Sequence, residues 1–331
     1  MKLSILDQSP ISSGSSASDA LDASLQLAKL GDKLGYTRYW IAEHHDLPGL
    51  ASSAPEIMLS YIGAQTNHIR LGAGAILLPH YKPFKIAETF NLIGTLLPDR
   101  VDLGIGRAPG GSAEASIALS GNYLEGVRNM PHAVKELLQF LHNSFPQEHM
   151  FSKVTPTPVP RISPEVWILG TSEKSALLAA ENGTAYAFGQ FMSAKDGAGI
   201  LKKYKEGFAD THAGKTGNSL ITVSAICAET TAQAEGIASS QFLWKILSDR
   251  GIKTGIPSID DAKNYRYTKQ DIEKIAEMKQ NIIVGNPFEV KTALEKLNED
   301  YHVDEIMIVT ITHDYQDRLQ SYQLISDQFS R

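Results

Sequence analysis

Apolar residues follow two alternating patterns along the chain. Short apolar runs predict eight buried strands, at residues 2–7, 39–42, 69–78, 101–105, 166–169, 185–188, 220–228 and 304–309. Between them, apolar residues recur at helical spacing and predict eight helices, at residues 19–35, 55–66, 82–97, 124–143, 172–182, 194–212, 231–248 and 316–329. In the first helix, Asp19 is a candidate N-cap and Gly35 a candidate C-cap.

This alternation predicts an α/β fold with a parallel sheet. Eight such units favour a closed (β/α)8 TIM barrel with insertions, and one barrel domain accounts for residues 1–331. The largest insertion lies late in the chain, at residues 245–282. Its polar centre, from Arg250 to Gln280, is too long for an ordinary loop. Two interpretations of it stay open, a lid over the barrel mouth and a surface insertion.

The composition excludes several classes of partner. The chain carries a net charge of -6 and no basic block, which argues against a nucleic-acid surface. No stretch reaches the length of a membrane span and the N-terminus begins with a strand pattern, so the expected location is the cytoplasm. Cys227 is the single cysteine, which rules out an intramolecular disulfide, and its apolar neighbours predict a buried, inert thiol.

Four ionisable residues, Glu43, His44, His45 and Asp46, follow the predicted second strand. A histidine at a strand end can act as a base or a hydrogen-bond donor near neutral pH. A metal site is not predicted, because adjacent residues on an extended chain point to opposite faces and no further His or Cys cluster supplies a third ligand. The alternative is structural: one histidine caps the loop or satisfies a buried carboxylate.

Two glycine-rich segments allow close approach to the backbone. Residues 72–75 (GAGA) lie within the third strand, where small residues admit a flat ring or merely fit the taper of a barrel. After the fourth strand, residues 104–111 place Arg107 among flexible glycines, which suits an anion or an exposed surface turn. The run does not match GxGxxG and precedes no clear helix, so a dinucleotide fingerprint is rejected.

A third segment, from Thr171 to Ser175, follows the fifth strand and opens a helix. Hydroxyls and free N–H groups at a helix N-terminus can bind phosphate, whereas Ser172 with Ser175 can equally form a capping box. Because strands four and five are neighbours in the predicted barrel, one phosphate could contact both Arg107 and this turn.

Taken together, these segments resemble the luciferase-like monooxygenases. Matches to that family follow in order along nearly the whole chain, at residues 42–45 (AEHH), 71–79, 87–88, 99–107, 168–172 and 283–287. The opening residues 6–10 (LDQSP) resemble its alkanal-monooxygenase-like subgroup.

The resemblance implies a flavoprotein oxidoreductase that uses reduced FMN and O2. It would oxidise a small organic substrate, an aldehyde or another group, through a flavin C4a-hydroperoxide, with FMN reduced by a separate NAD(P)H:flavin reductase. The FMN phosphate would lie on Arg107, Ser172 and Ser175 with Thr171 nearby.

The family also assigns two features at the flavin ring. His44 matches its catalytic histidine, and the bond between Gly74 and Ala75 aligns with a position that is often a non-proline cis peptide against the ring. Gly106 departs from the cysteine of bright luciferases, which gives no support for light emission. A homodimer is expected, because the sequence shows no sign of a distinct second subunit. An F420-dependent oxidoreductase of the same fold and a non-catalytic flavin-binding protein stay open as alternatives.

Overall fold

The computed structural model describes residues 1–213, 215–303 and 305–329. Within these ranges the chain forms one parallel sheet of nine strands. The strands are β1 (Lys2–Asp7), β2 (Arg38–Ile41), β3 (Arg70–Leu77), β4 (Val101–Gly106), β5 (Glu165–Gly170), β6 (Ala185–Gly189), β7 (Ser219–Cys227), β8 (Ile282–Gly285) and β9 (Glu305–Val309).

Eight of the strands close into a barrel. They pair in the order β6, β5, β4, β3, β2, β1, β9 and β7, and β7 closes the ring by pairing with β6. The predicted (β/α)8 barrel is therefore confirmed, and each of the eight predicted strands is present. Asp304, the predicted first residue of the last strand, lies outside the described residues. The ninth strand, β8, was not predicted; it pairs only with the carboxyl-terminal half of β7 and stays outside the ring.

Helices surround the barrel between successive strands. Those described are α1 (Ala17–Leu34), α2 (Pro55–Gly63), α3 (Pro83–Leu96), α4 (Ala113–Ser120), α5 (Tyr123–Arg128), α6 (Met130–His142), α7 (Glu173–Glu181), α8 (Gly197–Thr211), α9 (Thr231–Asp249), α10 (Ile259–Asn264), α11 (Lys269–Lys279), α12 (Pro287–Tyr301) and α13 (Tyr315–Asp327). Among them, none has both the length and the apolar character of a membrane span.

Two helix predictions require correction. The N-cap of α1 is Ser16, and Asp19 is instead the N3 partner in a capping box, because its carboxylate reaches back to the Ser16 backbone N–H at 2.8 Å. The C-cap prediction is confirmed, since Gly35 adopts φ 77°. The single helix predicted at residues 124–143 is two helices, α5 and α6, preceded by the unpredicted α4.

The base of the barrel is closed by two tryptophans and a charged cluster. Trp40 and Trp167 meet edge to face with ring centroids 5.3 Å apart. Beneath them the Arg38 guanidinium donates to Asp102 at 2.8 Å and to Glu305 at 2.7 Å. These polar groups are inside the barrel, where the pairing of charges compensates for the loss of water.

The late insertion is folded and docked. It contains α10 and α11, and the backbone of the fully buried Ile256 pairs with Ile11 and Ser13 near the N-terminus. Lys253 also forms an ion pair with Asp46 at 3.2 Å. In this conformation the segment is anchored beside the barrel mouth, and lid movement remains a prediction.

Candidate active site

A cavity of about 930 Å³ opens at the carboxyl ends of the barrel strands, the face where barrel enzymes carry their active sites. All seven site residues proposed from the sequence line it: His44, Gly74, Ala75, Arg107, Thr171, Ser172 and Ser175. The segments that carry Arg107 and Ser172 follow β4 and β5, which are neighbours as predicted. None of residues 250–280 lines this cavity.

The backbone of His44 is held by a hydrogen bond, whereas its ring Nδ1 has none within the described residues. Its N–H donates to the Ser52 carbonyl at 2.9 Å, and the next N–H, of His45, donates to the Gly110 carbonyl at 2.8 Å. Within the described residues, the buried Nδ1 of His44 has no hydrogen-bond partner. Burial, together with the neighbouring His45, lowers the pKa of His44 to about 4. The imidazole is therefore neutral at pH 7.

The neighbouring histidine has the structural role that was weighed as the alternative. The Nε2 of His45 lies 2.8 Å from Oε1 of Glu43, a carboxylate fully shielded from solvent. The same oxygen accepts from the Tyr81 hydroxyl at 2.6 Å, and Oε2 accepts from the Leu77 N–H at 2.9 Å. The two adjacent histidines thus point in different directions, His44 to the cavity and His45 to Glu43. The described residues contain no metal-binding group of three or more ligands.

The glycines of β3 and β4 serve packing as well as access. A Cβ on Gly72 would lie 2.6 Å from the Trp40 ring, and one on Gly104 would lie 2.1 Å from the Ala73 carbonyl oxygen. These two positions fit the barrel taper, the plainer of the two interpretations. The bond between Gly74 and Ala75 is a cis peptide, and both residues face the cavity.

Arg107 lies in a loop whose backbone carbonyls are held by hydrogen bonds from neighbouring side chains. Its backbone carbonyl accepts from the Tyr123 hydroxyl at 2.5 Å, and the carbonyl of Pro109 lies 2.9 Å from Nε2 of His80. The rings of His80 and Tyr123 contact each other at a tilt of 30°, with centroids 5.1 Å apart. The Arg107 guanidinium itself has no acidic partner among the described residues, so its charge is free for a ligand. The prediction that no clear helix follows this loop is wrong, because α4 begins at Ala113.

The turn after β5 is a capping box, as one interpretation held. Ser172 is the N-cap of α7, and its Oγ accepts from the Ser175 N–H at 3.4 Å. The two hydroxyl oxygens lie 3.2 Å apart at the cavity wall. A capping role and a ligand role are compatible here, because both hydroxyls remain partly accessible at the positive end of the helix.

Further cations, which no sequence pattern marked, lie in the same cavity. Arg128 and Lys174 line it, and within the described residues neither side chain forms an ion pair. Arg128 is the last residue of α5, which the helical spacing predicted as part of one longer helix. It does not follow a strand, so its position gave no sign of a site residue. Lys174 lies inside the predicted 171–175 turn, where its position next to Ser175 was the available signal. The mouth therefore has an excess of positive charge.

Another part of the lining is mainly apolar. It includes Leu6, Leu169, Phe191 and Met192, together with the neutral polar residues Gln8 and Thr222. A polar end and an apolar body are typical of a site for an organic ligand with an anionic tail.

Similarity to known proteins agrees with this geometry. Residues 1–304 match the family described as luciferase-like monooxygenase. The N-acetyl-S-alkylcysteine monooxygenase of Bacillus subtilis is 34% identical, over 99% of this chain and 98% of that protein.

Solved structures share the fold. The crystal structure of apo-MsnO8 superposes with a TM-score of 0.88 at 31% identity, covering 99% of this chain and 98% of the other. The oxygenating constituent of 3,6-diketocamphane monooxygenase from Pseudomonas putida, in complex with FMN, has a TM-score of 0.70 at 20% identity, covering 99% and 97%. The second likeness concerns the fold alone.

Proposed function

Because the chain belongs to the luciferase-like monooxygenase family, we propose that it is a flavin-dependent monooxygenase that binds FMN in this cavity. It would use reduced FMN and O2 to oxidise a small organic substrate. The observation that carries the proposal is the meeting, in one cavity, of a neutral, half-buried histidine with an unpaired guanidinium and two helix-capping hydroxyls.

The polar end of the cavity fits the FMN phosphate. A phosphate monoester carries close to two negative charges at pH 7 and accepts several hydrogen bonds. Arg107 supplies a charged fork, Ser172 and Ser175 supply hydroxyls at the start of α7, and Thr171 lies beside them. Arg128 adds a second unpaired guanidinium on the same cavity, which favours a dianion over a singly charged group.

The region around His44 fits the ring end. Gly74, Ala75 and Gly106 all line the cavity there, and such small residues let a flat ring approach the backbone. Reduced FMN, when bound, supplies the electrons with which O2 is activated. His44 has a buried ring nitrogen with no partner in the described chain, and as a neutral imidazole it can hold or pass a proton beside the ring. The apolar wall of Leu6, Leu169 and Phe191 excludes water from that proton transfer.

Other parts of the proposal rest on the sequence and on its family resemblance. A separate NAD(P)H:flavin reductase, a homodimer and a cytoplasmic location remain predictions. For the substrate, the names of two similar proteins suggest classes to try first, S-alkylcysteine thioethers and ketones. Aldehydes form the third class, expected from the sequence resemblance.

The test begins with binding and ends with oxygen incorporation. The purified protein is titrated with oxidised FMN, reduced FMN and F420, and then supplied with NADH, a flavin reductase and the three substrate classes under ¹⁸O2. We expect FMN binding, slower reoxidation of reduced FMN than in free solution, and one ¹⁸O atom in the product of one class.

Three other outcomes would replace the proposal. Hydride transfer to F420 without oxygen uptake would indicate a dehydrogenase of the same fold. FMN binding with no product in any class and unchanged reoxidation would indicate a flavin-binding protein. Failure to bind either cofactor would remove the cavity as a flavin site.

A further inference from the structure

A buried tyrosine lies directly behind the hydroxyl half of the cavity wall. Tyr186, on β6, is fully buried and faces away from the barrel interior, so it is not part of the cavity lining. Its hydroxyl oxygen lies 3.1 Å from Oγ of Ser175 and donates more weakly to the Ser172 carbonyl, at 3.5 Å. Tyr186 therefore contacts both residues of the capping box from the side opposite the cavity.

Whether Ser175 can donate a hydrogen bond to an anion depends on where its single hydroxyl proton points. A serine hydroxyl has one proton and two acceptor positions. In the structure, Ser175 Oγ donates to the Ser172 carbonyl at 2.6 Å and accepts from the Ser172 N–H at 3.3 Å. With its proton turned into the helix, Ser175 offers the cavity no donor, whereas a phosphate oxygen needs one.

Two features fix the oxygen of Ser175 while leaving its proton free to turn. A Cβ on Gly170 would lie only 2.3 Å from Ser175 Oγ, so this oxygen fills the space that the glycine leaves. The Tyr186 hydroxyl can donate to the same oxygen at 3.1 Å. A donated hydrogen bond also polarises the accepting hydroxyl and strengthens the bond it makes onward.

We propose that Tyr186 is a positioning residue of the anion site, which donates to Ser175 Oγ so that Ser175 can turn its own proton to the ligand phosphate. This inference rests on the proposed function, because it assumes that FMN places its phosphate here. Burial raises the pKa of Tyr186 to about 12, which keeps the donor protonated throughout the working pH range.

The test separates the phosphate from the rest of the flavin. Tyr186→Phe removes the hydroxyl and keeps the ring, and the dissociation constants of FMN and of riboflavin, which lacks the phosphate, are measured by fluorescence titration. We expect FMN to bind about fivefold more weakly, the value of one neutral hydrogen bond, with riboflavin unchanged.

Tyr204→Phe is the matched control. Tyr204 is another fully buried tyrosine, with its ring 5.5 Å from that of Tyr186, and its hydroxyl donates to the Thr184 carbonyl at 2.8 Å, away from the capping box. Its loss should lower stability without changing the ratio of riboflavin to FMN affinity. Circular dichroism shows that each variant is folded before titration.

A double variant, Tyr186→Phe combined with Ser175→Ala, tests whether Tyr186 affects FMN affinity through Ser175. If Tyr186 acts through Ser175, then Tyr186→Phe should cause no additional loss of FMN affinity once Ser175 is alanine. An equal loss for FMN and riboflavin, no loss for either, or a full additional loss in the Ser175→Ala background would each overturn the inference. A wild-type protein that binds no FMN would instead refute the proposed function on which the inference rests.

Discussion

The two ends of the barrel use the same kinds of polar residue in opposite ways. At the base, Arg38 is shared between Asp102 and Glu305, Arg70 binds the other oxygen of Asp102, and the Trp40 ring N–H donates to that carboxylate at 2.9 Å. Buried charges of both signs are therefore paired. This end of the barrel is closed by its own side chains.

At the mouth, two arginines and one histidine nitrogen are left without such partners. Arg107 and Arg128 line the cavity and, within the described residues, contact no carboxylate. The buried Nδ1 of His44 likewise has no partner there. Arg107 and Arg128 are exposed, so water can solvate them until a ligand takes its place, whereas the unpartnered buried nitrogen of His44 costs stability. We therefore interpret this end as built for a ligand that supplies the missing partners. We therefore expect that removing a charged side chain at the base lowers the stability of the fold, whereas removing one at the mouth weakens only ligand binding.

The largest expected effect is at the base. Arg38→Met leaves the buried carboxylates of Asp102 and Glu305 without their main counter-charge and should lower the free energy of unfolding by about 3–5 kcal/mol. Urea denaturation without flavin measures this change. Arg107→Met is the matched variant at the mouth and should change stability by less than about 0.5 kcal/mol. Equal destabilisation by both variants would erase the difference between the two ends.

His44 should matter for turnover and not for binding. His44→Ala removes the neutral imidazole beside the proposed ring position, and turnover should fall by about 100-fold or more, as for loss of a general acid or base. FMN affinity should stay close to that of the wild type. Steady-state assays and a titration provide the two values, and a fully active variant would end the proposed role.

Arg107 should matter for binding and not for folding. Arg107→Ala should weaken FMN binding by about 1.5–3 kcal/mol, the value of a charge-assisted contact, while riboflavin binds as before. Calorimetric titration at fixed salt measures both ligands. Unchanged FMN affinity would remove Arg107 from the phosphate site.

The half-buried His44 should also make the folded chain sensitive to acid. Since the pKa of His44 is lowered from 6.5 to about 4 in the folded chain, the unfolded chain binds more protons between these values, and stability falls as the pH falls. The contribution of His44 to this fall is about 2 kcal/mol between pH 7 and pH 5.

The control for this pH dependence is a variant that lacks the titrating group at position 44. His44→Gln should lose less stability over the same interval, as measured by urea denaturation at each pH. Parallel curves for the two proteins would show that His44 titrates normally.

Much of the barrel could be predicted from sequence because its determinants are local. Buried parallel strands are short apolar runs, and each of the eight predicted runs is a barrel strand. The position of Arg107 and Ser172 on neighbouring strand ends followed from chain order alone. His44 could be placed on the mouth for the same reason.

What the sequence did not reveal depends on how separate elements pack. The helices α10, α11 and α12 are largely polar, and their positions follow from docking on α9 and β8. Tyr186 lies only eleven residues from Ser175, but the two meet because α7 packs against β6. No periodicity reports such pairings.

The position of the phosphate in a crystal structure of the FMN complex tests most directly whether the unpaired mouth is a flavin site. We predict phosphate oxygens within hydrogen-bonding distance of the Arg107 guanidinium and of the Ser172 and Ser175 hydroxyls, with the ring system beside His44 and the peptide of Gly74 and Ala75. A phosphate bound elsewhere on the barrel, or a ring remote from His44, would refute this assignment of the cavity.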